Sequence, residues 1–188
     1  DRYLNLSMDY SLLNQIKVLI KSSKHIAFLG GAGISTASGI DDFRSPQGLY
    51  NIKSKYGIPY EVMLSRTYFY QDTETFYDFN WSTMVNKKAK PNKAHIALAN
   101  YEKAGKRISI ITQNIDGLHQ DAGSKEVYEA HGSTRRYICT KCDNHVSLDE
   151  LTPKGLPRCP KCGGLLKPDV VLYEEPLDED VINGALMA

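Results

Sequence analysis

Two closely spaced cysteine pairs constrain this chain more than any other feature: Cys139-x-x-Cys142, sixteen residues, then Cys159-x-x-Cys162. Paired knuckles at this spacing suit a tetrahedral zinc ion, which takes four thiolates in a closed shell. Gly163-Gly164 after the second pair lets the chain turn tightly and aim backbone N–H groups at the sulfurs. Two redox pairs or free buried thiols are the competing readings. A thioredoxin-type site needs one such pair opening a helix, not two in a ribbon rich in Gly, Pro and Lys, so zinc is favoured. Four cysteines leave no coordination position for a substrate, which makes the metal structural. The chain has no other cysteine, and its first residues, DRYLNLSMDY, lack the charged-then-apolar layout of a signal peptide. Metal is therefore expected in place of disulfides, in a soluble intracellular protein.

Around the ribbon the sequence has an α/β rhythm. Leu12, Leu13, Ile16, Leu19 and Ile20 recur at helical spacing and lead into an apolar run, His25 to Leu29. The stretch from about Ile58 to Val85 is rich in aromatics without strand alternation and reads as helices and loops. Asn92 can cap a helix through Ala94, Leu98 and Tyr101 that stops at Gly105. Further strands are expected at Arg107 to Thr112, Val127 to Ala130 and Asp169 to Tyr173, and Asp178 can cap a last helix, Glu179 to Leu186. The 188 residues allow one good-sized domain with a small insert, and a hydrophobic content of 41% is enough for a core. With 23 basic against 22 acidic side chains, no field steers the chain toward nucleic acid or a membrane surface. No run of apolar residues is long enough to span a bilayer.

Three segments follow strand candidates closely: Gly30 onward, Gln113 to Asp116, and His131-Gly132. Ligands of open parallel sheets sit at the carboxyl ends of the strands, so these segments are the expected site. The stretch FLGGAGISTASGIDDFRS opens with a glycine loop of the kind that holds nucleotide phosphates. Gly31 and Gly33 supply two glycines of a dinucleotide fingerprint, but Thr36 stands where the third belongs. The acidic residue expected about 20 positions further on falls near Asn51. A hydride-transfer dehydrogenase is therefore disfavoured. Gln113, Asn114 and Asp116 crowd the end of a strand, where unpaired polar groups are costly. On spacing alone they read equally as a satisfied turn network or as a ligand-reading edge. His131 reads as a base or a packed histidine, and His119 is the weaker candidate for chemistry.

GAGIST at 31–36, the GI-x-DFRS frame at 39–45, TQNIDGLHQ at 112–120, EAHG at 129–132, the four-cysteine ribbon and PDVVLYEE at 168–175 occur together in one order. That combination resembles the sirtuins, the NAD-dependent protein deacylases, from about Asp9 to the end of the chain. The resemblance implies a Rossmann-like parallel sheet with an inserted small domain made of the zinc ribbon and a helical module. The Rossmann-like part takes residues 1–45, 84–136 and 168–188, the helical part 46–83 and the ribbon 137–167. NAD is the implied cofactor, beside one structural zinc. Gly31, Ala32, Gly33, Thr36, Asp42, Phe43 and Arg44 line its loop. Phe43 shields the ribose carbon, Gln113 and Asn114 hold the nicotinamide ribose, and Ile115 with Asp116 binds the nicotinamide amide. His131 is the implied general base and, with Asn114, the catalytic pair.

Val171 and Tyr173 would edge a groove taking an acyl-lysine peptide as an added strand, with Tyr77 near the acyl group. Sirtuins preferring acidic acyl chains carry a Tyr-x-x-Arg pair. Here Tyr77-Asp78-Phe79-Asn80 has Asn80 at the arginine position, which implies neutral acyl groups such as acetyl. Departures from the family pattern are Asp41 in place of proline, and Tyr173-Glu174 in place of Phe-Gly. The pattern also continues beyond the last helix into a strand ending in Gly-Thr-Ser, so the chain is expected to be part of a longer protein. The implied function is a cytoplasmic NAD-dependent protein-lysine deacetylase releasing nicotinamide and O-acetyl-ADP-ribose, with no nucleic acid or membrane partner. Mono-ADP-ribosyl transfer from the same site is one alternative, and a zinc-ribbon interaction fragment is another.

Overall fold

The computed structural model of the chain describes residues 9–42 and 53–188. Helix α1 (Tyr10–Ser22) is capped by the Asp9 carboxylate, which accepts the N–H groups of Ser11 and Leu12. Its apolar stripe is real, yet Leu12, Ile16 and Leu19 stay exposed, because no described residue covers them. Strand β1 (His25–Gly30) follows. The aromatic stretch forms four short helices, α2 (Lys53–Tyr56), α3 (Tyr60–Met63), α4 (Arg66–Gln71) and α5 (Thr73–Phe79), the last running into a π-helical turn, Asn80–Met84. Helix α6 (Lys93–Lys103) has Asn92 at its N-cap, and the chain leaves it through Gly105 at φ +90. Strand β2 (Arg107–Thr112), helix α7 (Leu118–Asp121) and strand β3 (Val127–Glu129) complete the first half.

Strands β1, β2 and β3 form a parallel sheet in that order, with His25 to Gly30 paired against Arg107 to Thr112. All three point their carboxyl ends to one edge, so the segments singled out in the sequence are brought together there. A second, antiparallel sheet has β4 (Gly132–Cys139) between β5 (His145–Ser147) and β6 (Leu166–Val170). The chain closes with α8 (Glu179–Met187), capped by Asp178.

One strand differs from expectation. The segment read as a strand over Asp169 to Tyr173 begins earlier and pairs antiparallel with β4. Its buried residues, Leu166 and Val170, flank Pro168 at period two. That is the signature of a strand covered on one face. After β6 the chain is held by Val171 N–H on the His131 carbonyl and by a bridge beside Ser65, where Tyr173 N–H bonds the Leu64 carbonyl and Arg66 N–H the Tyr173 carbonyl.

A single apolar cluster joins the short helices to the ribbon. Phe69, Phe76, Tyr77 and Phe79 from the helices meet Tyr137, Val146, Leu148 and Leu166 from the second sheet, and Cys139 and Cys159 belong to the same cluster. The rings meet edge to face, as in Phe69–Phe76 at 5.0 Å and 88°, the arrangement favoured by the ring quadrupole. Among the described residues no helix is long and apolar enough to cross a membrane.

Candidate functional site

The glycine loop leaves β1 at Gly30, where an added Cβ would lie 2.8 Å from the Phe28 ring. Two 3-10 turns follow, Ala32–Ile34 and Thr36–Ser38, and Gly39 ends them at φ +79. The Thr36 hydroxyl closes back on the Gly33 carbonyl at 3.0 Å. Helix α6 clamps this loop from outside: the Asn92 side-chain amide donates to the Ile34 carbonyl at 2.7 Å and to Ser38 Oγ at 3.0 Å. Asn92 was legible only as a helix cap, since capping and clamping use the same side chain.

The ends of β1 and β2 are tied through Ser35, which is 1% exposed. Its hydroxyl donates to Asp116 Oδ2 at 2.7 Å and accepts Asn114 Nδ2 at 3.0 Å. The same Asn114 amide donates to the Gly31 carbonyl at 3.1 Å. Asp116 Oδ1 accepts the Leu118 N–H at 2.9 Å, which starts α7. The cluster is therefore a satisfied turn network, and it lies at the carboxyl edge of the parallel sheet. Ser35 was missed as a hub because one serine inside a glycine loop carries no distinguishing signal.

His131 follows β3, beside Gly132 at φ +73. Its Nδ1 lies 3.0 Å from the Gln113 carbonyl oxygen. A carbonyl only accepts, so Nδ1 carries a proton, and in the neutral ring the lone pair is on Nε2. His119, by contrast, is buried against His95, with ring centroids 4.7 Å apart. Burial, aided by the neighbouring His95, pushes its pKa down to about 4. It is a neutral packing residue at ordinary pH.

Gly31, Ala32, Gly33, Thr36, Gln113, Asn114, Ile115, Asp116 and His131 thus share the carboxyl edge of the parallel sheet. Asp42 closes the described part of the loop, and Phe43 and Arg44 lie outside the described residues. Val171 is bonded to His131 and Tyr173 has half its surface exposed beside α4. The N–H groups of both are taken up internally, and the Tyr173 carbonyl accepts the Arg66 N–H at 3.0 Å. Tyr77, expected near the acyl group, has no exposed surface; its hydroxyl donates to the Leu166 carbonyl, and burial raises its pKa. Asn80 is equally buried, with Nδ2 donating to the Tyr137 hydroxyl at 3.1 Å. Both sit in the core between helices and ribbon, because α5 turns that face toward β4 and β6; neither lines an open groove.

The four cysteines converge, with all Sγ atoms within 4.8 Å of one another. Cys139 and Cys162 are 3.5 Å apart, and Cys142 and Cys159 3.8 Å. Zinc–sulfur bonds of about 2.3 Å in a tetrahedron require sulfurs about 3.8 Å apart, so the cage fits this ion. The two knuckles repeat one geometry: Asp143 N–H bonds the Cys139 carbonyl, and Gly163 N–H the Cys159 carbonyl. The residues after each pair have φ +53 and +70. Lys141 and Gly164 each aim a backbone N–H at a sulfur, at 3.4 Å. A Cβ on Gly164 would lie 2.9 Å from Cys139 Sγ, so only glycine leaves the cage its room.

A parallel sheet with a glycine loop and polar cluster at its carboxyl edge, continued by one strand into a four-cysteine ribbon, defines an α/β protein with a metal-stapled accessory module. The chain belongs to the Sir2 family, whose pattern matches residues 31–187. It is 52% identical over 179 residues to the NAD-dependent protein deacetylase of Clostridium perfringens (strain 13 / Type A), covering 94% of this chain and 72% of that one. To the NAD-dependent protein deacetylase of Clostridium tetani (strain Massachusetts / E88) it is 54% identical over 173 residues, with 91% and 70% covered. Among solved structures it resembles a Sir2 homolog in complex with NAD, at a TM-score of 0.76 and 39% identity, covering 94% of this chain and 66% of that one. A Sir2 mutant with a deacetylated peptide and 3'-O-acetyl ADP ribose matches at a TM-score of 0.75 and 37% identity, with 91% and 69% covered.

Proposed function

We propose that this protein removes acetyl groups from lysine side chains of proteins at the expense of NAD, releasing nicotinamide and O-acetyl-ADP-ribose. One observation carries the reading. The Asn114–Ser35–Asp116 hub and the oriented His131 stand together at the carboxyl edge of the sheet, where an open α/β sheet binds its ligand. NAD, when bound, supplies an activated glycosidic bond whose cleavage yields an electrophilic ribose carbon.

The protein's own residues then have separable tasks. The loop Gly31–Thr36 takes the phosphates. Gln113 and Asn114 hold the nicotinamide ribose, and Ile115 with Asp116 receives the nicotinamide amide. His131, its proton fixed on Nδ1 by Gln113, offers Nε2 as base toward a ribose hydroxyl. Val171 and the exposed Tyr173 side chain border the acyl-lysine peptide. Cys139, Cys142, Cys159 and Cys162 would hold zinc with no position open to substrate, so the ion secures the fold. A four-thiolate site needs reduced cysteines, which suits work in the cytoplasm.

The test incubates the protein with NAD and an acetyl-lysine peptide and follows nicotinamide and O-acetyl-ADP-ribose together. Release of both, dependent on the peptide, is the expected result. ADP-ribose appearing on protein instead would establish the transferase alternative, and no consumption of NAD would leave an interaction module.

A further inference from the structure

Immediately after Asp116 the chain passes through Gly117 at φ +75 and ψ 11. Glycine is the residue that restrains its neighbours least. Asp116 and Ile115 therefore stand at a potential hinge, although the reading above asks them to hold one small amide in a fixed orientation. The restraint comes from β4, on the two residues after Ser133. Thr134 donates both its N–H and its hydroxyl to the Ile115 carbonyl, each at 3.0 Å. Arg135 donates Nε to the Asp116 carbonyl at 3.1 Å and Nη2 to Asp121 Oδ2 at 2.6 Å. Its stem lies flat over the hinge: a Cβ added to Gly117 would meet Arg135 Cγ at 3.1 Å and Nε at 3.3 Å. The bare glycine and the arginine fit each other.

We infer that Arg135 is a positioning residue for the nicotinamide end of the NAD site, acting through the Asp116 carbonyl. The inference rests on the function proposed above. Its guanidinium fixes the peptide plane between Asp116 and Gly117. That in turn fixes where the Asp116 carboxylate points, since both carboxylate oxygens are already committed, to Leu118 N–H and to Ser35 Oγ. Asp121 holds the other end of the guanidinium, so the grip spans the turn and the end of α7. Arg135 touches no reacting atom in this scheme. It sets how strongly nicotinamide is held and thus how sensitive the enzyme is to its own product.

The experiment compares the full chain with Arg135→Ala, Arg135→Lys and Asp121→Ala. Nicotinamide inhibition and the KM values for NAD and acetyl-peptide are measured together, and NAD binding is followed separately by calorimetry. In Arg135→Ala the nicotinamide inhibition constant should rise about three- to tenfold, the span expected of one lost hydrogen bond. The KM for NAD should rise less, and the KM for peptide should stay put. Arg135→Lys, with charge but no planar fork, should recover only part of the loss. Asp121→Ala should shift the same way by a smaller factor, and it and the lysine variant decide the matter if Arg135→Ala fails to fold. Unchanged nicotinamide inhibition, or equal shifts for nicotinamide and peptide, would overturn the inference. A parent chain that binds NAD, but deacetylates nothing, would sink the proposed function while the calorimetry still judged Arg135. A parent that does not bind NAD would overturn both.

Discussion

At the scale of single residues, His131 and Gly132 illustrate two separate demands on adjacent positions. His131 is proposed to act by chemistry, with Nδ1 anchored on Gln113 and Nε2 available as base. Replacing it by Ala should lower the deacetylation rate by roughly two to four orders of magnitude, while calorimetry shows NAD binding largely kept. A variant retaining most of its turnover would remove His131 from the mechanism. Gly132 is demanded by space. It has φ +73, and a Cβ there would lie 2.0 Å from the Asp169 carbonyl oxygen. That oxygen is backbone within the β4–β6 pairing and cannot swing away. Gly132→Ala should therefore destabilise the fold by about 3 kcal/mol or more, read as a shift in urea midpoint; a change within experimental error would contradict the packing described. The motif made the histidine and its glycine legible in the sequence. Ser35, Asn92 and Arg135 were not, because serine, a helix-capping asparagine and a strand arginine occur in any fold. Their importance comes from the partners they reach across long sequence separations: the Asp116 carboxylate and Asn114 amide for Ser35, and backbone carbonyls for Asn92 and Arg135.

Among the elements, the ribbon was the most legible, since cysteine spacing fixes both ligand set and knuckle geometry. The short helices were legible as a class but not in orientation. Tyr77 and Asn80 follow from the family frame, yet which face of α5 meets β4 and β6 is decided by aromatic packing that no local pattern records. The segment after β6 shows a third case. Glu174 stands at φ +75 where the family pattern has glycine. Its carboxylate accepts the Thr67 N–H at 2.9 Å and hydroxyl at 2.7 Å, and these bonds, led by the hydroxyl, lower its pKa. The bonds to α4 offset the left-handed backbone. Glu174→Gly loses them but relieves the backbone, whereas Glu174→Ala loses them and keeps the strain. The alanine variant should thus melt below the glycine variant; the reverse order would mean that the backbone there is not strained. For the ribbon itself, Gly164→Ala should reduce zinc per chain and stability together, because metal binding in such a module is largely folding free energy. Full zinc content in that variant would show the cage to be roomier than its geometry indicates.

The whole molecule carries titrating groups at both ends of its parallel sheet, and their signs determine how it responds to acid. The α/β class was legible because strand and helix periods alternate along the chain; this response was not, because it depends on burial. At the amino end, Glu126 is held by Arg107 at 2.9 Å and by Ser109 at 2.7 Å, which lowers its pKa to about 2. A carboxylate depressed in the folded state contributes stability that is lost as pH falls from its unfolded value of 4.5 toward 2. Toward the carboxyl end, His95 and His119 act earlier. Burial lowers both, His119 to about 4, while Asp116 opposes the shift in each. The unfolded chain protonates these histidines near pH 6.5; the folded chain does so at lower pH, for His119 at about 4. Between pH 6.5 and about 4 the unfolded state therefore binds more protons, and stability falls as acid is added. Among the described residues neither ring nitrogen of His119 has a hydrogen-bond partner, so His119→Phe removes a proton acceptor without breaking a bond seen there and keeps a ring beside Phe28 and His95. Urea midpoints measured from pH 7.5 down to 4.5 should fall less steeply in this variant than in the parent, with little difference at pH 7.5. The residual slope belongs to His95 and, toward pH 4.5, to Glu126. Two parallel curves would show that His119 is already free to take up a proton in the folded protein, and that the buried pair does not set its acid sensitivity.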